Sequence, residues 1–311
     1  MSHFSTINRR GLIRSLAGAA AVMILRPWPA TASLISPLLS RRIPSTGEEL
    51  PLVGLGSWGV FNVGEDRAAR DACAAVLKAS FDAGGRLIDS SPMYGSSAAV
   101  IGYGLEKLGM PKQVFSADKV WISSGTGGPG QIEKSQRAWR VQRFDLLQVH
   151  NLIAWEQHLP TLYEMKKAGR LRYVGITTSH GRRHEDFEQI MRREPLDFIQ
   201  VTYNILDREV EERILPLARD RGMAVIINRP FQRAALIQRY QGKPLPTWAA
   251  DIDCTGWPQF LLKFIVSHPA VTCAIPATSS VAHAIEDLGA ARGRLPDEAM
   301  RRRMIEYVRA L

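Results

Sequence analysis

Residues 86–95 read Arg86-Leu87-Ile88-Asp89-Ser90-Ser91-Pro92-Met93-Tyr94-Gly95. A brief apolar run stops on a carboxylate, and the Ser-Ser-Pro that follows ends any regular element. An apolar run this short, without polar alternation, reads as a strand buried on both faces, and such strands belong to parallel sheets covered by helices. Seven further runs of the same kind lie on either side: Leu52-Val53-Gly54, Val114-Phe115-Ser116-Ala117, Leu146-Leu147-Gln148-Val149, Tyr173-Val174-Gly175-Ile176, Phe198-Ile199-Gln200-Val201, Ala224-Val225-Ile226-Ile227 and Val271-Thr272-Cys273-Ala274-Ile275.

Stretches of helical period separate them. Residues 68–81 place Ala69, Ala72, Val76 and Ala79 or Ser80 on one stripe, and residues 155–168 turn Leu159, Leu162 and Met165 inward. Residues 209–221 do the same with Val210, Ile214, Leu215 and Leu217, behind a first turn rich in acids. Gly84, Gly85, Gly169 and Gly222 stand where turns and helix ends need them. Eight β-then-α units predict a single α/β domain, a (β/α)8 TIM barrel over residues 42–311.

Barrel chemistry sits at the carboxyl ends of the strands. The residues that end or follow the runs are Asp89, Lys119, His150, Thr177-Thr178, Gln200 and Asn228. Each alone has an ordinary structural explanation, because buried polar groups are usually just hydrogen-bonded. Gathered at one rim, they predict an active site.

Asp89 at the end of the second run, Tyr94-Gly95 just beyond it, Lys119 after the third and His150 after the fourth resemble the Asp–Tyr–Lys–His tetrad of the aldo-keto reductases. The segments 51–58, 117–121, 145–151, 200–204 and 274–279 resemble that family's first, third, fourth, sixth and eighth strands, in order. The resemblance runs from about Arg42 to the last barrel helix. It implies reduction of an aldehyde or ketone to an alcohol by a nicotinamide nucleotide, because no side chain can supply a hydride. Tyr94 would donate the proton. Lys119, held by Asp89, would make the phenol more acidic than its ordinary value of about 10. His150 would donate a hydrogen bond to the carbonyl oxygen.

The same resemblance implies cofactor positions at Gly56, Ser57, Thr177, Thr178, Gln200, Asn228, Arg229, Phe231 and Arg233, and near the eighth strand at Thr278, Ser279, His283, Glu286 and Asp287. Gln200 matches the position that bonds the nicotinamide carboxamide. Thr177-Thr178 stands where the family usually has Ser-Asn, and Asn228 where many members stack an aromatic ring. Arg229 and Arg233 are suited to gripping a pyrophosphate. Members that prefer the phosphorylated cofactor often carry Lys-Ser and then Arg where this chain has Ala277, Thr278 and His283. Thr278, Ser279 and Ser280 offer hydroxyls at a helix start instead. NADP is therefore expected, with NAD as an alternative. Trp58 and Trp121, joined by Phe61 and Trp155, are expected to wall the substrate pocket and favour apolar or flat carbonyl compounds. A second reading is a cofactor-binding redox sensor or regulatory partner of a membrane protein, with little turnover.

The chain has 311 residues, 45% of them hydrophobic and 23% charged, an ordinary globular composition. Its net charge of +10 invites a nucleic-acid or membrane partner, but the charge is unevenly placed. Residues 1–32 hold Arg9, Arg10, Arg14 and Arg26, no acid, an apolar run from Leu16 to Leu25, and Ala30-Thr31-Ala32. A basic start, a short apolar stretch and a small-x-small site make an export signal, and Ser5–Ile13 resembles a twin-arginine one. Residues 33–41 then read as a linker. Without the leader, 36 basic residues face 30 acidic ones. The expected partners are the twin-arginine export machinery and a small carbonyl substrate, with neither nucleic acid nor stable membrane insertion after cleavage. The expected location is the periplasm, or the cytoplasm where the signal is unused. Cys73, Cys254 and Cys273 show no metal-type spacing. Cys73 and Cys273 read as buried, and Cys254 as an exposed thiol.

Overall fold

The N-terminal hairpin forms the floor of the molecule. In the computed structural model, which describes residues 37–311, strands β1 (Ser40–Arg42) and β2 (Glu49–Pro51) pair antiparallel. The hairpin starts within the segment read as a linker. The leader expected at 1–32 lies outside the described residues.

The barrel follows. β3 (Leu55–Gly56) leads to α1 (Arg67–Asp82), β4 (Leu87–Asp89) to α2 (Ser97–Lys107), and β5 (Phe115–Val120) to α3 (Gly128–Trp139). β6 (Phe144–Val149) leads to α4 (Trp155–Lys167), β7 (Leu171–Thr177) to α5 (His184–Arg193), and β8 (Phe198–Thr202) to α6 (Ile214–Asp220). β9 (Ala224–Asn228) is followed by α7 (Ala235–Tyr240) and α8 (Trp257–Val266), and β10 (Cys273–Ala274) by α9 (Val281–Gly289) and α10 (Glu298–Ala310). Strands β3 to β10 pair in parallel and in sequence order. The ring closes where the Gly54 amide donates to the Ala274 carbonyl and the Gly56 amide to that of Pro276, each at 2.8 Å.

All eight expected strands are present, though the first is shifted along the chain and the last is shorter than expected. Val53 makes only a bridge to Ala274, and the ladder proper begins at Leu55. The region expected to be one helix over 209–221 is two pieces, a single turn at Glu209–Glu211 and then α6. Pro216 favours the break. It lacks an amide proton and its ring crowds the carbonyl four residues back, so it is best placed in the first turn of a helix, and α6 starts two residues before it. The inward stripe survives the break, since Val210, Ile214, Leu215 and Leu217 are all buried.

The strand period of two explains how a packed lumen becomes a polar rim. Phe115, Leu146, Tyr173 and Phe198 point inward and pack with Ile43 and Leu50 of the hairpin. The Phe115 and Tyr173 rings stack with centroids 5.7 Å apart. Two steps up β5, β7 and β8 the same inward parity passes through Ala117, Gly175 and Gln200, and another two steps along β5 and β7 bring Lys119 and Thr177. The other strand faces pack against the helices in the larger core.

Cys73 and Cys273 are buried as expected, but so is Cys254, which corrects the expectation of an exposed thiol. It follows the two-turn segment Thr247–Ile252, and burial pushes its thiol up to about 12. Phe61 is likewise fully enclosed in the core, and half-buried Trp155 packs against that core, so neither walls a pocket.

Candidate active site

β4 ends on Asp89, which is 2% exposed. Its backbone carbonyl accepts from the Ser57 hydroxyl at 2.8 Å, which ties the strand end to the loop after β3. Gly56, the last residue of β3, must lack a side chain, because a Cβ there would lie 2.8 Å from the Ile275 carbonyl. The Asp89 carboxylate is held on both oxygens. Lys119 Nζ donates to Oδ2 at 2.6 Å and Gln200 Nε2 to Oδ1 at 2.8 Å. Lys119 Nζ also donates to the Ser90 carbonyl at 2.7 Å. Three strands, β4, β5 and β8, therefore meet in one buried network.

Tyr94 reaches the rim by a local device. Ser91 caps a single turn at Pro92–Tyr94, accepting from the Met93 amide at 3.2 Å, with Pro92 at the first position. The turn folds Tyr94 back over the strand ends. Its ring lies edge-on to His150, centroids 5.9 Å apart, and Lys119 Nζ is 5.2 Å from its centre.

Burial pushes the Tyr94 hydroxyl above the ordinary phenol value, Lys119 pulls it back, and Asp89 opposes Lys119. The net direction is upward, which corrects the expectation of a more acidic phenol. Burial pulls Lys119 down, yet the charges of Asp89 and Tyr94 more than offset it, so the ammonium stays protonated. Burial, helped by Lys119, lowers His150 to about 3, so its imidazole is neutral. Its Nδ1 lies 2.8 Å from the Ser91 hydroxyl. A Ser91 hydroxyl that donates to Nδ1 leaves the imidazole proton on Nε2.

A cavity of about 440 Å³ opens above this group. It is lined by the expected residues Gly56, Ser57, Trp58, Asp89, Tyr94, His150, Thr177, Gln200, Asn228, Arg229, Phe231 and Arg233. Asn228 joins two strands to it, donating to the Thr178 carbonyl at 2.9 Å and accepting from the Thr202 hydroxyl at 2.7 Å. Arg233 stacks on Trp58 at 4.2 Å from the ring centre.

Other expected residues do not reach the cavity. Thr178 is buried, with its hydroxyl on the Arg182 carbonyl at 2.5 Å. Thr278 is buried and accepts from the Ser280 amide at 3.0 Å, Ser279 and His283 are exposed, and Glu286 is half-buried. Asp287 is buried in α9, where burial raises its carboxyl to about 8. Trp121 stands outside the lining, its backbone clamped by the Gln131 amide. Met93, Asn151, Ser179 and His180 line the cavity and were not singled out from the sequence. Asn151 directly follows His150, and the other two follow Thr178, so the strand-end rule extended by two residues would have found them.

Among the described residues there is no cluster suited to a metal ion, and no helix is long and apolar enough to cross a membrane. A family model described as the aldo/keto reductase family matches residues 52–304. The chain belongs to that family. Among curated aldo-keto reductases, it is 27% identical over 239 residues to methylglyoxal reductase YeaE of Escherichia coli, covering 75% of this chain and 83% of that one. It is also 27% identical to aldo-keto reductase YhdN of Bacillus subtilis, over 62% of each chain, so the match spans less than two thirds of that relative. Among solved structures, an aldo-keto reductase from Klebsiella pneumoniae in complex with NADPH shares the fold at TM-score 0.71 and 22% identity, over 88% of this chain and 95% of that one.

Proposed function

We propose that this aldo-keto reductase reduces an aldehyde or ketone to an alcohol with NADP(H), NAD(H) being the alternative nucleotide. The observation that carries the reading is Tyr94 and His150 lining one cavity, with Lys119 and Asp89 paired directly beneath. The residues present fit a nicotinamide nucleotide. Thr177, Gln200 and Asn228 present hydroxyl and amide groups to the cavity for a carboxamide. Arg229 and Arg233 line it, and among the described residues no carboxylate lies within 4.0 Å of either, which suits a pyrophosphate. When bound, the nucleotide supplies the hydride.

The chain's own residues do the rest. Nε2–H of His150 donates to the carbonyl oxygen and stabilises negative charge as it develops there. Tyr94 keeps its proton at neutral pH and delivers it from Oη to that same oxygen. Lys119, charged and fixed by Asp89, stabilises the phenolate left behind. Trp58 and Phe231 exclude water from one side. Tyr94→Phe tests the assignment. It should abolish aldehyde-dependent oxidation of NADPH while fluorescence titration still shows nucleotide binding, and retained turnover would remove Tyr94 from the role.

We further propose three parts for the chain: an export leader at 1–32, a linker at 33–41 and the barrel from 42 to 311. Arg9-Arg10, the apolar run behind them and Ala30-Thr31-Ala32 support a twin-arginine route to the periplasm. That route suits a protein that folds around its nucleotide before export. Replacing Arg9 and Arg10 with Lys should hold the precursor in the cytoplasm, and unchanged export in a fractionation assay would refute the route.

A further inference from the structure

The segment between β9 and α7, residues 229–234, has an unusual backbone. Arg229, Gln232, Arg233 and Ala234 hold φ between 49° and 71°. None is a glycine, so each Cβ crowds the backbone, and such conformations persist only where the surroundings impose them. Every residue of the segment except Gln232 lines the cavity. Its shape therefore decides where Arg229 and Arg233 stand.

The loop after β8 supplies a support from outside. Asn204 in that loop is fully buried. Its Oδ1 accepts from the Leu206 and Asp207 amides at 3.0 and 2.9 Å, which folds the loop back on itself. Its Nδ2 donates to Asp207 Oδ2 at 2.8 Å and to the Arg229 carbonyl at 3.3 Å. Asp207 Oδ2 accepts in turn from Gln232 Nε2 at 2.9 Å. One amide and one carboxylate oxygen thus grip the segment at two of its left-handed residues. Neither Asn204 nor Asp207 lines the cavity. As a charge, a carboxylate this close to the Arg229 backbone works against an anion held there. Its bonds, rather than its charge, account for its place.

We propose that Asn204 and Asp207 are positioning residues: they hold residues 229–234 in the cavity-lining shape before the nucleotide arrives, so that binding need not order Arg229 and Arg233. The proposal rests on the nucleotide reading of the site and adds to it two residues outside the cavity wall.

The test is fluorescence titration with NADPH. Asp207→Ala should weaken binding about tenfold, the worth of one charge-assisted hydrogen bond, although loss of a negative charge beside an anion would by itself strengthen it. Asp207→Asn keeps an oxygen for Gln232 and should bind within about twofold of wild type. Gln232→Ala should weaken binding, yet added to Asp207→Ala it should cost nothing more, because the two side chains share one bond. Unchanged or tighter binding in Asp207→Ala, an equal loss in Asp207→Asn, or additive losses in the double variant would each overturn the proposal. Should the wild type bind neither NADPH nor NADH, the nucleotide reading falls, and hydrogen exchange of the free protein still decides whether these residues hold the segment. The amides of residues 231–236 should exchange about tenfold faster in Asp207→Ala, with β5 and β6 unchanged. Exchange equal to wild type, or faster by the same factor throughout the barrel, would refute the hold.

Discussion

Replacing Lys119 with Met separates what the buried ion pair does for the fold from what it does for the reaction. The pair is almost dry, with side-chain exposures of 0% for Lys119 and 3% for Asp89. The substitution removes the 2.6 Å bond to Asp89 and the 2.7 Å bond to the Ser90 carbonyl, leaving the carboxylate with only Gln200 Nε2. Stranding one charge of a buried pair costs about 3–5 kcal/mol. Asp89→Asn combined with Lys119→Met leaves no charge behind, and should return to within about 1 kcal/mol of wild type, since neutral replacement of a buried pair costs little. Turnover should follow a different pattern. Both variants should lose at least about a hundredfold in kcat/KM, because neither stabilises the Tyr94 phenolate. The single variant's deficit should also shrink as pH is lowered, since a protonated carboxyl carries no buried charge. Urea unfolding followed by tryptophan fluorescence at pH 8 and pH 5, with aldehyde turnover alongside, measures all of this. A Lys119→Met variant within 1 kcal/mol of wild type, or a double variant no more stable than the single, would show that the pair is not the buried charge couple described.

Reduction should show no titration near pH 6.5, because His150 is neutral down to about pH 3, and should decline only on the alkaline side, where Tyr94, raised above an ordinary phenol, finally loses its proton; a kcat profile from pH 5 to 10 checks both limbs. His150 and His268, depressed to about 3 and about 4, bind protons more readily unfolded than folded, so their contribution is complete above pH 6.5 and lost as pH falls through that window. The urea midpoint should therefore drop from pH 7 to pH 4, and drop less in His268→Gln. Gly102→Ala places a Cβ 2.0 Å from the Ala138 carbonyl, where α2 crosses α3, and should cost about 1–3 kcal/mol in the same assay. Arg233→Ala removes the stack on Trp58 and, on the function proposed, a pyrophosphate contact, and should weaken NADPH binding about tenfold by fluorescence titration.

The barrel was legible because a two-sided buried strand leaves a mark that needs no tertiary information: a short apolar run between turns. The tetrad was legible for the same reason, since Asp89, Lys119 and His150 end such runs and Tyr94 follows one by a single capped turn. The floor hairpin carried no comparable signal. Ser40–Arg42 and Glu49–Pro51 are short and mostly polar, and what fixes them is contact with distant parts of the chain. The break before α6 was written in Pro216, but the strong apolar stripe on both sides of it masks the interruption. Burial of Cys254 and Phe61, and the exclusion of Trp121 and the α9 residues from the cavity, depend on how loops fold back, which local pattern does not encode. The lining residues Asn151, Ser179 and His180 were missed because they stand just past the strand ends, where loop geometry decides which residues reach the cavity.

The hairpin has a consequence for the order of assembly. Arg41, in its first strand, donates to the carbonyls of Val266, His268 and Val271, at and just beyond the end of α8. The earliest part of the described chain is thus secured by some of the latest. During synthesis the hairpin is made before the barrel, and these bonds of Arg41 wait until α8 and the turn into β10 have been made. Full anchoring of the floor is therefore a report that the chain has been made at least as far as Val271. A chain cut short before residue 266 would carry every member of the tetrad and still be an open ring.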